Sequence, residues 1–213
     1  MALFDEEVTN QLKEILNNLQ DEVNLILFQQ AENCTTCNET KVFIEEFTAL
    51  SGKLKLETLD LINDKDQAEK YNITKVPAIV VLDKNKTDRD VRFYGMPNGY
   101  EINSFLAAVF EASGVADPIP DDLLNKAKEI DKDIHIQVFV TPSCPHCSGA
   151  VVTAHRLAFA NSRIKADMVE CTTFPELANK YNVSGVPKIV INEKHELVGN
   201  QPMTAFLSTI DQI

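Results

Sequence analysis

Two short stretches hold most of the reactive side chains of this 213-residue chain: "NCTTCNET", with Cys34 and Cys37, and "SCPHCSGA", with Cys144 and Cys147. Cysteines spaced Cys-x-x-Cys support two chemistries. Four thiolates from two such pairs can hold a tetrahedral zinc ion, or each pair alone can exchange with a disulfide, one thiolate attacking and the other closing the mixed disulfide. Zinc knuckles sit in short turns with glycines close by. Here each pair is followed by a helical pattern and lies in its own copy of a repeat, so exchange is the expected chemistry, with no metal and no organic cofactor. Cys34 and Cys144 are assigned the attack, Cys37 and Cys147 the resolution.

The two pairs are not equivalent. In the second, an imidazolium at His146 would stabilise a Cys144 thiolate, and Pro145 stiffens the first helical turn at little cost in hydrogen bonds. The first offers only the hydroxyls of Thr35 and Thr36, with Glu32 nearby to oppose a thiolate by like charge. A stabilised thiolate is the better leaving group, so the second site is expected to be the more oxidising and the faster at neutral pH. A purely structural first pair is the alternative. Cys171, the fifth cysteine, stands alone and is expected to be a small buried side chain. His155, eight residues after Cys147, is expected to pack or to face solvent, and His135 and His195 support no assignment.

The elements that must position these thiols come from a duplication. Shifting the sequence by 110 residues lays Cys34 on Cys144, Cys37 on Cys147, Ala68 on Ala178, Lys70 on Lys180, Tyr71-Asn72 on Tyr181-Asn182, and Val76-Pro77 on Val186-Pro187. A constant offset over so long a stretch marks one unit used twice. In each unit a short apolar strand ("VNLILFQ", "IHIQVFV") leads into the cysteine pair, and apolar residues at three- and four-residue steps follow as a helix. A second strand, a short helix, two further strands and a closing amphipathic helix complete β-α-β-α-β-β-α, a mixed sheet with helices on both faces. Val8, Leu12, Ile15, Leu16 and Leu19 predict a helix ahead of the first unit, and Leu123, Leu124, Ala127 and Ile130 its counterpart ahead of the second. Tyr71 and Tyr181 are expected to pack each core. The break falls in "ASGVADPIPDD", giving domains 1–117 and 118–213.

Composition narrows the partners. Twenty basic against 32 acidic side chains give a net charge of −12, which repels phosphate backbones and anionic headgroups, so neither nucleic acid nor a membrane surface is expected. The acidic start "MALFDEEVTN" lacks the basic flank of a signal peptide, and the expected location is the cytoplasm.

Strand, Cys-x-x-Cys, helix, then Val-Pro ahead of a strand resembles the thioredoxin and glutaredoxin pattern. Two such units in succession resemble the glutaredoxin-like protein disulfide oxidoreductases over nearly the whole chain. The resemblance implies an α/β fold of two tandem thioredoxin-like domains. It also implies that Pro77 and Pro187, each 43 residues after the first cysteine of its unit, are cis prolines facing the disulfides. There Val76-Pro77 and Val186-Pro187 would present backbone groups to an extended substrate peptide. Thioredoxins proper carry a buried acid six residues before the first cysteine and a Trp just before the motif. Phe28 and Val138 hold the acid's places here and the chain has no Trp, which leaves the proton acceptor for the resolving thiol unassigned. The implied activity is reduction or shuffling of protein disulfides, with a thioredoxin-reductase-like flavoenzyme as the matching partner. The competing reading is an electron relay from a flavin reductase to a peroxidase. Such relays typically lose one of the two pairs, and this chain keeps both.

Overall fold

The computed structural model describes residues 3–213. Two compact units share the chain: one takes in the residues through Asp88 with Tyr94–Met96 and Val109–Ala116, the other Arg89–Phe93, Pro97–Ala108 and Asp117–Ile213.

In the first unit the central strand is β1 (Val23–Gln29), buried at six successive positions. A strand apolar on both faces needs partners on both sides and helices above and below. It has them: β2 (Leu54–Asp60) pairs with it in parallel from Val23↔Leu54 to Gln29↔Asp60, and β3 (Ala78–Leu82) antiparallel from Asn24↔Leu82 to Phe28↔Ala78. Helix α2 (Cys37–Thr48) buries Phe43, Ile44 and Phe47, while α3 (Lys65–Lys70) is short and buries Ala68. Ahead of them, α1 (Glu6–Leu16) starts at Asp5, whose carboxylate accepts the Val8 N–H at 2.8 Å, with Glu6 and Glu7 in the dipole-favoured first turn. The predicted stripe divides: Leu12, Leu16 and Leu19 are buried, whereas Val8 and Ile15 are exposed.

The second unit repeats the arrangement. Strand β5 (Ile134–Val140) pairs in parallel with β6 (Ile164–Glu170) and antiparallel with β7 (Lys188–Ile191), which pairs antiparallel with β8 (His195–Val198). Helices α5 (Asp121–Lys128), α6 (Cys147–Ala160) and α8 (Met203–Ile210) pack on one another, and α7 (Pro175–Lys180) has Pro175 in its first turn, where its missing N–H costs nothing. This unit also claims most of strand β4 (Asp88–Tyr94), a short 3-10 turn Gly99–Glu101, and the first part of α4 (Ile102–Ala112). Chain order and contacts therefore divide the molecule differently over Arg89–Phe93 and Pro97–Ala108. The reason is visible in the packing: Phe93 stands edge-on to Phe105 at 5.1 Å and to the His155 ring of α6 at 4.7 Å. No helix among the described residues is long and apolar enough to cross a membrane.

Candidate active site

Each cysteine pair closes on itself as a disulfide, Cys34–Cys37 and Cys144–Cys147, with Cα atoms 5.5 Å apart in both. The helices begin at the second cysteine of each pair, so Cys34 and Cys144 lie one turn ahead of the first helical residue, with Thr36 and His146 as N-caps that supply no side-chain hydrogen bond. The first-turn N–H groups of an uncapped helix are unsatisfied donors, and the dipole there favours negative charge. A thiolate formed at Cys34 or Cys144 faces this positive end, which is the condition for a lowered thiol pKa and a usable nucleophile.

Strand β5 ends at Val140, and the loop Thr141–His146, which holds Cys144, leads to the start of α6 at Cys147. The Cys144 N–H donates to the Thr141 carbonyl at 3.1 Å. Cys147 is fully buried and Cys144 nearly so, whereas Pro145 and His146 are exposed. The Val186–Pro187 and Val76–Pro77 bonds are both cis. Cys144 Sγ lies 3.7 Å from the Val186 carbonyl oxygen, and the Pro187 carbonyl is held by the Gly199 N–H at 2.8 Å. The cis-proline loop is thus fixed to Gly199, the residue that follows β8.

At the first pair Cys34 is half-buried, Cys37 buried and Thr35 exposed. The Thr36 carbonyl accepts both the N–H (3.0 Å) and the hydroxyl (2.9 Å) of Thr40, which is fully buried. Thr36 thereby fixes the helix start through its backbone, while its own hydroxyl makes no cap. The Pro77 carbonyl takes the Gly95 N–H at 3.1 Å, matching the second site, and Lys75 lies 3.5 Å above the Tyr94 ring.

One residue on a turn packed against the second cysteine helix was not singled out from the sequence. Glu101, in the 3-10 turn, is 1% exposed. Burial pushes its carboxyl up to about 7, and the Ser104 hydroxyl, donating to Oε2 at 2.6 Å, draws it part of the way back. Its Oε1 has no hydrogen-bond partner. The turn packs against α6, and its Tyr100 N–H donates to the Pro142 carbonyl at 3.0 Å, two residues before Cys144. Gly99 allows that approach: its φ is +57°, and a Cβ there would lie 3.0 Å from the Pro142 carbonyl carbon. Among the described residues the first unit has no buried carboxylate or histidine. A buried acid with a carboxyl near neutrality therefore lies on a turn packed against α6, the helix that starts at Cys147, and the first unit has no buried acid to match it.

Two other groups resolve as structural. His155 is buried, as the packing alternative expects, and burial pushes it down to about 4. Cys171, half-buried just past β6, donates its N–H to the Val140 carbonyl at 3.0 Å, as Leu61 does to Gln29 in the first unit at 2.8 Å. Burial and then the neighbouring Glu170 push its thiol up to about 11, the reverse of a reactive cysteine. Tyr71 and Tyr181 are buried, against Phe28 and Phe139 respectively.

Residues 4–108 match the family described as Thioredoxin, and residues 134–212 the family described as Thioredoxin domain. Among solved structures, the alkylhydroperoxide reductase protein AhpF (C503A mutant) of Enterococcus faecalis (V583) superposes with a TM-score of 0.91 at 29% identity, covering 97% of this chain and 99% of that one. A protein disulfide oxidoreductase from Aeropyrum pernix K1 gives 0.89 at 28% identity, covering 97% and 91%. The like-named component of the alkyl hydroperoxide reductase of Escherichia coli (strain K12) is 24% identical over 209 residues, which are 98% of this chain and 38% of that protein. An NADH dehydrogenase of Ferdinandcohnia aciditolerans is 20% identical over 208 residues, 98% of this chain and 37% of its length. The chain thus spans well under half of these curated relatives. With two thioredoxin-type units in succession and a redox disulfide in each, at the head of the helix that follows the unit's first strand, the chain belongs to the tandem thioredoxin-fold dithiol–disulfide oxidoreductases.

Proposed function

We propose that the Cys144–Cys147 pair is the site that meets polypeptide disulfides, and that Glu101 takes the proton of its resolving thiol. The observation that carries this is the buried Glu101 carboxyl, near-neutral in pKa, on a turn packed against the helix that starts at Cys147. In the reduced enzyme the Cys144 thiolate attacks one sulfur of the substrate disulfide, forming a mixed disulfide and releasing the other sulfur as a thiolate. Cys147 gives its proton to Glu101 and attacks Cys144 Sγ. The internal disulfide forms, the second substrate sulfur leaves, and two electrons have passed from enzyme to substrate. The Val76–Pro77 and Val186–Pro187 loops are read as the edges that receive the substrate chain by strand addition, with Pro145 and His146 tuning Cys144 and with Thr35 and Thr36 at the first pair. Domains 1–117 and 118–213 remain the units of the duplication.

Relatives named for hydroperoxide reduction and for NADH oxidation favour a flavoenzyme as the electron source. The same match, over nearly the whole chain, favours the relay toward a peroxidase as a second reading. The reducing cytosol suits either role.

Dithiothreitol-driven insulin reduction by the wild type, Cys34→Ser and Cys144→Ser, with zinc assayed on the same samples, tests the assignment. Metal-free activity falling mainly with Cys144→Ser is expected. Loss confined to Cys34→Ser, or inactivity of all three, overturns it.

A further inference from the structure

Asn200 stands against Gly149, in the first turn of the helix that begins at Cys147. Gly149 is the third residue of α6, two after Cys147, and a Cβ there would lie 2.9 Å from both Cγ and Oδ1 of Asn200, closer than real side chains approach. A residue with a Cβ at this place would push the Asn200 amide away from the first turn of the helix, which glycine lets it keep. On its other side Asn200 follows Gly199, whose N–H holds the Pro187 carbonyl at 2.8 Å, and the preceding carbonyl, of Val186, is the one 3.7 Å from Cys144 Sγ. The side chain is exposed and makes no hydrogen bond among the described residues. A carboxamide has two donors and an acceptor. Here they are left to solvent at the rim between the cis-proline loop and the cysteine helix, where a chain held by strand addition must pass. The first site has neither part: the corresponding places hold Glu39 and, after Gly95, Met96.

We propose that Asn200 is a specificity residue of the second site, its amide hydrogen-bonding the main chain of the polypeptide whose disulfide Cys144 attacks. The proposal rests on the assignment of that site to polypeptide disulfides. An amide can donate to a peptide carbonyl and accept from a peptide N–H whatever the side chains, so it recognises extended backbone and is indifferent to small disulfides that lack one. It acts on binding and register, and the sulfur chemistry proceeds without it.

The test uses insulin as the polypeptide disulfide and 5,5′-dithiobis(2-nitrobenzoate) as one with no backbone. Asn200→Ala is expected to raise KM for insulin about fivefold, the worth of one neutral hydrogen bond, with kcat and the small-disulfide rate unchanged. Gly149→Ala displaces the amide without harming a helix that gains from alanine, so it should raise the insulin KM similarly in the wild type and add nothing in the Asn200→Ala background. An unchanged insulin KM in Asn200→Ala, or equal losses on both disulfides, overturns the role of Asn200 and leaves the site assignment standing. A wild type active on the small disulfide and inactive on insulin overturns the polypeptide assignment and this proposal with it.

Discussion

Glu101 shows what one buried acid can do for thiol exchange. A carboxyl near 7 is half ionised at neutral pH, able to take a proton and to return it. Its carboxylate form is the acceptor, so the resolving step should quicken as pH rises through about 7, and Glu101→Gln should remove that rise. Turnover of the variant at pH 7 is expected to fall on the order of 100-fold while the first attack, followed by trapping the mixed disulfide, keeps its rate. A variant that retains the pH-dependent rise would place the proton acceptor elsewhere. Cys171 supplies the opposite case. With its thiol at about 11, limited iodoacetamide on the reduced protein at pH 8 should label Cys144 well before Cys171, read by peptide mass spectrometry. Equal labelling would show that the loop opens.

At the scale of elements, the sequence was most informative where the repeat spoke twice. The constant offset located both cysteine pairs and both Val-Pro bonds, because a thioredoxin-like unit needs them at fixed places and two copies reinforce each other. The start of the helices was less legible: periodicity placed a helix after each pair, but only the fold shows that it begins at Cys37 and Cys147, with the attacking cysteine a turn ahead. Glu101 was invisible for a different reason. It sits in Pro97–Ala108, a segment that repeat arithmetic assigns to the first half, while its packing belongs with the second. A carboxylate just ahead of the mainly apolar "INSFLAAVF" helix was the one available signal, and an acid at a helix start is ordinarily read as a dipole partner in solvent. Asn200 and Gly149 escaped likewise, since a lone Asn and a lone Gly 51 residues apart carry no pattern until the fold brings them together. His155 could be placed on the inward stripe of α6 by spacing. That Phe93 of β4 covers it could not.

Across the whole molecule, Glu101 and His155 make the folding stability a contest between two buried groups with opposite signs. The folded protein holds the Glu101 proton up to about 7, whereas the unfolded chain releases it near the ordinary 4.5. Stability from this group is fully present below 4.5 and is lost as pH rises to 7, by about 3 kcal/mol. His155 runs the other way. Unfolded, it takes a proton near 6.5; folded, burial withholds that proton until about 4 despite the nearby Asp167 carboxylate, so stability falls as pH drops through this window, again by about 3 kcal/mol. From 4.5 to 6.5 the two slopes cancel. Urea-unfolding free energies should therefore show Glu101→Gln gaining stability with rising pH across that range relative to the wild type, and ending more stable than it at pH 8. His155→Leu should lose stability with rising pH over the same range and be the more stable protein at pH 5. The double variant should run parallel to the wild type between pH 4.5 and 6.5, with the surface carboxylates common to all four proteins cancelling in the differences. Parallel curves for all four would mean that neither group keeps its buried protonation state in the folded protein. If the slopes do oppose, Glu101, the proposed proton acceptor for the second disulfide, is held at a stability cost above neutral pH, where its carboxylate form would be the working one.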